Sequence, residues 1–125
     1  MTAPTMAGWN LALRFLLELM ALTGLAAAAW RLGSGPERWI AAVAVPVAAA
    51  AIWGLFNVLG DPSRSGAAPI QVSGWVRLGL ELAILGGGAA AVAYATRPEL
   101  GVAFALAILC HYLASLDRIE WLVRA

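Results

Sequence analysis

Residues 13–19 read "LRFLLEL" and residues 76–82 read "VRLGLEL". Each stretch sets an Arg and a Glu four positions apart, Arg14/Glu18 and Arg77/Glu81, inside an otherwise apolar run. On a helix, residues four apart are neighbours on one face, so each motif is a local ion pair. The second motif follows the first at an offset of 63 residues. What surrounds them decides the fold: 62% of the 125 residues are hydrophobic and only 12% are charged. Soluble domains carry roughly 25% charged residues, so a chain this short could not hide so much apolar surface from water. The composition reads as an integral membrane protein.

Four apolar segments, 8–32, 37–59, 73–95 and 99–122, are each long enough for the roughly 20 helical residues that cross a bilayer. Backbone groups in lipid must bond internally, so these segments are expected to be helices. The break between the second and third, "GDPSRSGAAPIQVSG", is rich in Gly, Pro and Ser and marks the boundary between two hairpins. The hairpins read as copies, 8–59 and 73–122. Besides the two charge pairs, Ser34-Gly35-Pro36-Glu37 and Thr96-Arg97-Pro98-Glu99 repeat a capping-box pattern with Pro in the first turn. A two-helix unit returns the chain to its starting side. The expected fold is therefore all-α: one transmembrane domain over 1–125, a four-helix bundle of two parallel-repeat helical hairpins. Both charge pairs then approach one membrane face. The bulk of the Trp residues, Trp9, Trp30, Trp39, Trp75 and Trp121, fall near span ends, as an interfacial belt requires.

Charge and rare residues exclude several function classes. The formal net charge is +1, which gives no footprint for nucleic acid. All eight basic residues are Arg. One cysteine, Cys110, and one histidine, His111, cannot form a disulfide, a zinc site or a redox pair within the chain. No phosphate loop, nucleophile elbow or metalloprotease helix is present, so no enzyme motif points to a reaction and no cofactor is expected; an embedded enzyme would have to use Glu18, Glu81 and His111. The N-terminus lacks a basic leader before its apolar stretch, and no cleaved signal peptide is expected. Arg14 and Arg77 near one face favour both termini in the cytoplasm.

The candidate site is the set of polar residues inside the spans: Asn10, Arg14, Glu18, Trp53, Arg77, Glu81 and His111. At 1.5 Å per residue, Arg14 lies about 9 Å and Glu18 about 15 Å into the first helix. A charge at the bilayer centre costs roughly 2.5–3.5 kcal/mol, so these groups should face the protein interior. Two readings follow. In one, the carboxylates line a polar cavity for a solute, ion or proton; in the other, the pairs clamp the first and third helices in register. For His111, a proton shuttle near Glu18 competes with the plainer reading, a hydrogen bond to a helix carbonyl or to Tyr112. Asn10 and Asn57 are expected to satisfy helix-end groups, and Pro46 to kink the second span. In the third span Gly79, Ala83, Gly87, Ala91 and Ala95 form a stripe of small residues, a candidate helix-packing face for this bundle or a second copy.

Taken together, "WNLALRFLLEL", "WGLFN" followed by "DP", and "RLGLEL" resemble the YrdB-like family of small four-helix bacterial membrane proteins. The resemblance implies a bacterial plasma-membrane protein and carries over Asn10, Arg14, Glu18, Trp53, Gly54, Phe56 and Glu81. It assigns no biochemical role. The leading functional expectation is a small transporter or permeation module, homodimeric, with Glu18 and Glu81 in a central polar cavity. The alternatives are a non-catalytic subunit or assembly factor of a larger membrane complex, and a lipid-binding protein.

Overall fold

The computed structural model describes residues 2–125. Five helices carry the chain: α1 Gly8–Leu32, α2 Glu37–Leu55, α3 Gly74–Ala95, α4 Pro98–Leu113 and α5 Leu116–Arg124. α1, α2 and α3 are each long and apolar enough to cross a membrane, and α4 with α5 forms a fourth, bent candidate. The first and third segments begin and end within a residue of the sequence-based bounds. α2 stops at Leu55 because the chain becomes extended there. Phe56–Asn57 (β1) pairs in parallel with Ile70–Gln71 (β2), closing the inter-hairpin loop on itself.

α1 is the spine. It packs on α2 and on α3, and α3 in turn packs on α4, so the helices form a layer in the order α2, α1, α3, α4. α1 and α3 run in the same direction: Arg14 meets Glu81, Ala21 meets Gly88, Gly24 meets Val92 and Arg31 meets Tyr94. The close approach depends on missing side chains. A Cβ on Gly88 would sit 2.6 Å from the Ala21 Cβ, and one on Gly24 2.6 Å from Val92 Cγ2. Gly101 likewise admits α4, where a Cβ would meet Ala93 at 2.5 Å.

These are not the glycines of the anticipated stripe. Gly79, Ala83 and Gly87 are exposed, and a Cβ on Gly79 or Gly87 would have nothing within 4 Å. Of that stripe only Ala91 is buried. The four-residue periodicity was real, but the α1 interface follows the neighbouring row that also contains Arg77, Glu81 and Gly88, because the charges must face inward.

Two further expectations change. Neither Ser34 nor Thr96 caps a helix; Thr96 Oγ1 instead donates back to the Val92 carbonyl at 2.6 Å. The cap that does form is Ser73, whose hydroxyl accepts from Val76 N at 3.3 Å and starts α3. The uninterrupted fourth helix is broken between Leu113 and Leu116 by a 71° bend. The break costs little because side chains take over the freed carbonyl of His111. Ser115 Oγ donates to it at 2.7 Å and Asn10 Nδ2 at 3.4 Å. α4 alone spans roughly 24 Å, short of a hydrocarbon core about 30 Å thick. The bend directs α5 back over the bundle end, and Gly74, the first residue of α3, sits directly under the Leu122 backbone. Trp121 therefore packs inside with Val58 and Leu122 and does not join the belt, whereas Trp9, Trp39 and Trp75 remain exposed near helix ends. α2 runs through Pro46 as one helix.

Candidate functional site

Glu81 is the centre of the polar interior. It is fully buried and three guanidinium groups converge on it. Arg77 Nε donates to Oε2 at 2.7 Å across one turn of α3. Arg14 of α1 reaches Oε1 at 3.2 Å and Oε2 at 2.9 Å. Arg118 of α5 donates to Oε1 at 3.0 Å and to Oε2 at 2.7 Å. The Tyr112 hydroxyl adds a donation to Oε1 at 2.8 Å. One carboxylate thus ties α1, α3, α4 and α5 together. Hydrogen bonds to charged groups contribute about 1.5–3 kcal/mol each, and removal of one member of a buried ion pair costs about 3–5 kcal/mol.

Each arginine also has an anchor of its own. Arg118 forks onto Asp61 with bonds of 2.8 and 2.7 Å, so α5 is tied to the inter-hairpin loop as well as to the core. Arg77 Nη1 donates to the carbonyls of Trp53 and Phe56, both at 2.7 Å. Those are orphan carbonyls at the C-terminus of α2, where a cation also meets the favourable end of the helix dipole. The Trp-Gly-x-Phe segment therefore works through its backbone as a receptor for Arg77. Asn57 Nδ2 donates to the Gly54 carbonyl at 2.6 Å and closes the same helix end. Arg14 and Arg77 both lie over the Trp53 ring, with centroid distances of 4.9 and 4.7 Å. That contact compensates guanidinium nitrogens such as Arg77 Nη2 that make no hydrogen bond.

His111 takes neither of its anticipated partners. Arg14 Nη1 lies 3.2 Å from Nε2 and Asn10 Oδ1 lies 2.8 Å from Nδ1. A guanidinium only donates, so Nε2 accepts and the proton sits on Nδ1, where it is donated to Asn10. The ring is thereby held neutral and orients Arg14. Tyr112 touches it edge-on, with ring centroids 4.9 Å apart.

Glu18 has a different setting. Its carboxylate accepts from Trp53 Nε1 at 2.9 Å, lies 3.6 Å from Arg14 Nε and 4.0 Å from Arg64 Nη1. Its side chain is 21% exposed, against 0% for Glu81. Two cavities meet at this carboxylate. The inner one, about 190 Å³, is lined by Glu18, Leu22, Ala50, Trp53, Arg64 and Ile84. The outer one, about 510 Å³, opens beside Arg14, Phe15, Ser63 and Ser65 and shares Glu18 and Arg64 with the inner. Glu81 lines neither.

The structure brings all seven sequence-selected residues into one connected network, of which Arg14, Glu18 and Trp53 line these two cavities. Three charged participants escaped sequence reading, Arg118, Asp61 and Arg64, each of which looks like an ordinary loop or terminal charge; the Tyr112 contact with Glu81 was missed as well. A signal for Arg118 exists. Helical spacing aligns it with Trp121 and Leu122, opposite Asp117, Glu120 and Arg124. Asp61 lies outside the spans. Burial alone would raise its carboxyl, but the Arg118 guanidinium, with help from Ser63, holds it below the usual carboxylate value.

A family described as "Protein of unknown function (DUF2568)" matches residues 12–109. The "Uncharacterized protein YrdB" of Bacillus subtilis (strain 168) is 38% identical over 114 residues, 91% of this chain and 93% of that protein. No solved structure matches the chain.

Proposed function

The chain belongs to the YrdB-like DUF2568 family, and from that premise we propose that it is a small membrane transporter or permeation module whose solute-facing carboxylate is Glu18. One observation carries this reading: a half-buried acidic group inside a membrane-type helix lines two cavities. Ionisable groups at that depth are costly and typically mark pathways or binding sites. Glu81, by contrast, is so fully claimed by donors that it serves as scaffold, and the three arginines around it hold α1, α3 and α5 in place. The same proposal includes an ancestral duplication of one hairpin. It accounts for parallel α1 and α3 helices that each bear an Arg and a Glu four residues apart. It also includes a bacterial inner-membrane location, cytoplasmic termini and a homodimer. α2 supports the last, since it buries only Ala49 and Trp53 within its own chain and leaves the rest for lipid or a second copy.

The test is flux in proteoliposomes under imposed pH and solute gradients. Glu18→Gln is expected to keep the fold and lose at least tenfold in flux. Wild-type protein that moves no ion or small solute under any gradient overturns the reading.

A second reading, a subunit or assembly factor of a larger complex, is favoured by the open stripe on α3. Among the described residues nothing lies within 4 Å of a Cβ placed on Gly79 or Gly87, which leaves room for a partner helix. Gly87→Leu would then abolish co-purification of another membrane protein without disturbing the monomer. A single monodisperse species in mild detergent counts against it.

A further inference from the structure

The residues at the meeting of the two cavities point to the chemistry of what enters them, an inference that rests on reading the Glu18 cavity as a solute site. Only Glu18 and Arg64 line both cavities. Their charged atoms are 4.0 Å apart, the widest ion pair among the described residues, and both side chains are partly exposed, 21% and 29%. Every other interior ion pair is closer: 3.6 Å for Arg14–Glu18 and 2.7–2.9 Å around Glu81 and Asp61. This bridge is the one that can open.

Charge balance restricts what can open it. In formal charges, Arg14, Arg77 and Arg118 are matched by Glu81, Asp61 and Glu18, and Arg64 stands at the rim as one cation in excess. A simple cation entering the cavity would add to that excess and compete with two guanidiniums for Glu18. A simple anion would reach Arg64 only beside the Glu18 carboxylate. A group that carries an ammonium and an oxyanion a few ångströms apart meets neither obstacle. Its ammonium replaces Arg64 on Glu18, its oxyanion stays with Arg64, and the net charge is unchanged. One loose internal pair is exchanged for two charge-assisted contacts, the stronger class of hydrogen bond. The outer cavity adds the Ser63 and Ser65 side chains near the anionic end, and Leu22, Ala50 and Ile84 give the carbon skeleton an apolar wall.

We propose that the Glu18–Arg64 bridge is a ligand-replaceable pair that receives a small zwitterion, an ammonium joined to an oxyanion by a short aliphatic spacer. Two sources share that chemistry: a free amino-acid-like solute and a phosphoethanolamine headgroup of a bilayer lipid.

Calorimetric titration of the purified full chain in maltoside detergent tests the free solute, with β-alanine as probe and ethylamine and propionate as its two halves. Native mass spectrometry from nanodiscs of phosphatidylethanolamine or phosphatidylglycerol tests the lipid. The expected result is binding of β-alanine at least tenfold tighter than either half, or selective retention of phosphatidylethanolamine. Glu18→Gln and Arg64→Gln should each reduce it at least tenfold. Arg64 is a partly exposed loop residue, so its variant keeps the fold and isolates the anionic contact. Ethylamine binding as tightly as β-alanine, with Arg64→Gln silent, would overturn the proposal in favour of a plain cation site. So would failure of β-alanine to bind together with equal retention of both lipids. Flux separates this from the transport reading. Zwitterion binding without flux removes transport and keeps the site, whereas cation flux without zwitterion binding does the reverse.

Discussion

The Arg-x-x-x-Glu motif of α1 and that of α3 begin as the same local structure and end in opposite conditions. Glu81 receives three guanidiniums and a phenol and is closed from solvent. Glu18 receives one indole and two distant guanidiniums and faces a cavity. The motif does not decide this; residues far along the chain do. Arg118 and Tyr112 reach Glu81 because α4 breaks and α5 folds back, whereas nothing of that kind reaches Glu18. Four helical residues of spacing supply a pair, and the tertiary neighbours determine whether that pair is sealed or borders a cavity.

The largest test of the contrast is a matched pair of neutralisations. Glu81→Gln removes the carboxylate charge shared by three buried guanidiniums, and loss of about 3–5 kcal/mol is expected, seen as a collapse of thermal stability and folded yield in detergent. Glu18→Gln disturbs a half-exposed group and should change stability by no more than about 1 kcal/mol. Equal effects would erase the distinction.

Next comes the interface that holds the two motifs in register. Gly88→Ala drives a methyl against Ala21 and should cost about 1–3 kcal/mol. Gly87→Ala, one position on, enters open space and should be neutral or slightly stabilising in melting temperature.

The latch on the sealed side can be opened directly. Arg118→Met leaves Asp61 and Glu81 without their shared cation. Hydrogen exchange should then accelerate at least tenfold across Leu116–Arg124 while the amides of α1 keep their protection. Uniform acceleration would mean that α5 is no separate latch.

The smallest expected effect is a pH dependence. Asp61 has a folded-state value below its ordinary 3.8, so its contribution is fully present above the unfolded value and is lost as pH falls through the folded one. Thermal unfolding followed from pH 6 downward should show wild-type protein losing stability below about pH 4 more steeply than Asp61→Asn.

Much of the fold is legible in the residues. The bounds of α1 and α3, the inward placement of both charge pairs and the break between hairpins follow from hydropathy and from the cost of charge in lipid. What is not legible has physical reasons. The α4 bend rests on His111 O finding two side-chain donors, one of them a hundred residues away in sequence. The capping boxes fail because Thr96 satisfies its hydroxyl on Val92, a local choice that competes with the cap. Arg118, Asp61 and Arg64 are hidden by context, since an isolated charge beside a polar loop reads as solvated until a buried partner is known. The small-residue stripe of α3 does not meet α1, because the α1 interface follows the neighbouring row that carries the charges and leaves Gly79 and Gly87 open.

The most direct measurement is carboxyl access. The folded protein in liposomes is treated with a neutral, membrane-permeant carbodiimide, and modification is read at each position by peptide mass spectrometry. Preferential modification of Glu18, with Glu81 untouched until the protein is denatured, is the predicted result. Modification of Glu81 in the folded protein at a rate equal to or above that of Glu18 would contradict the account.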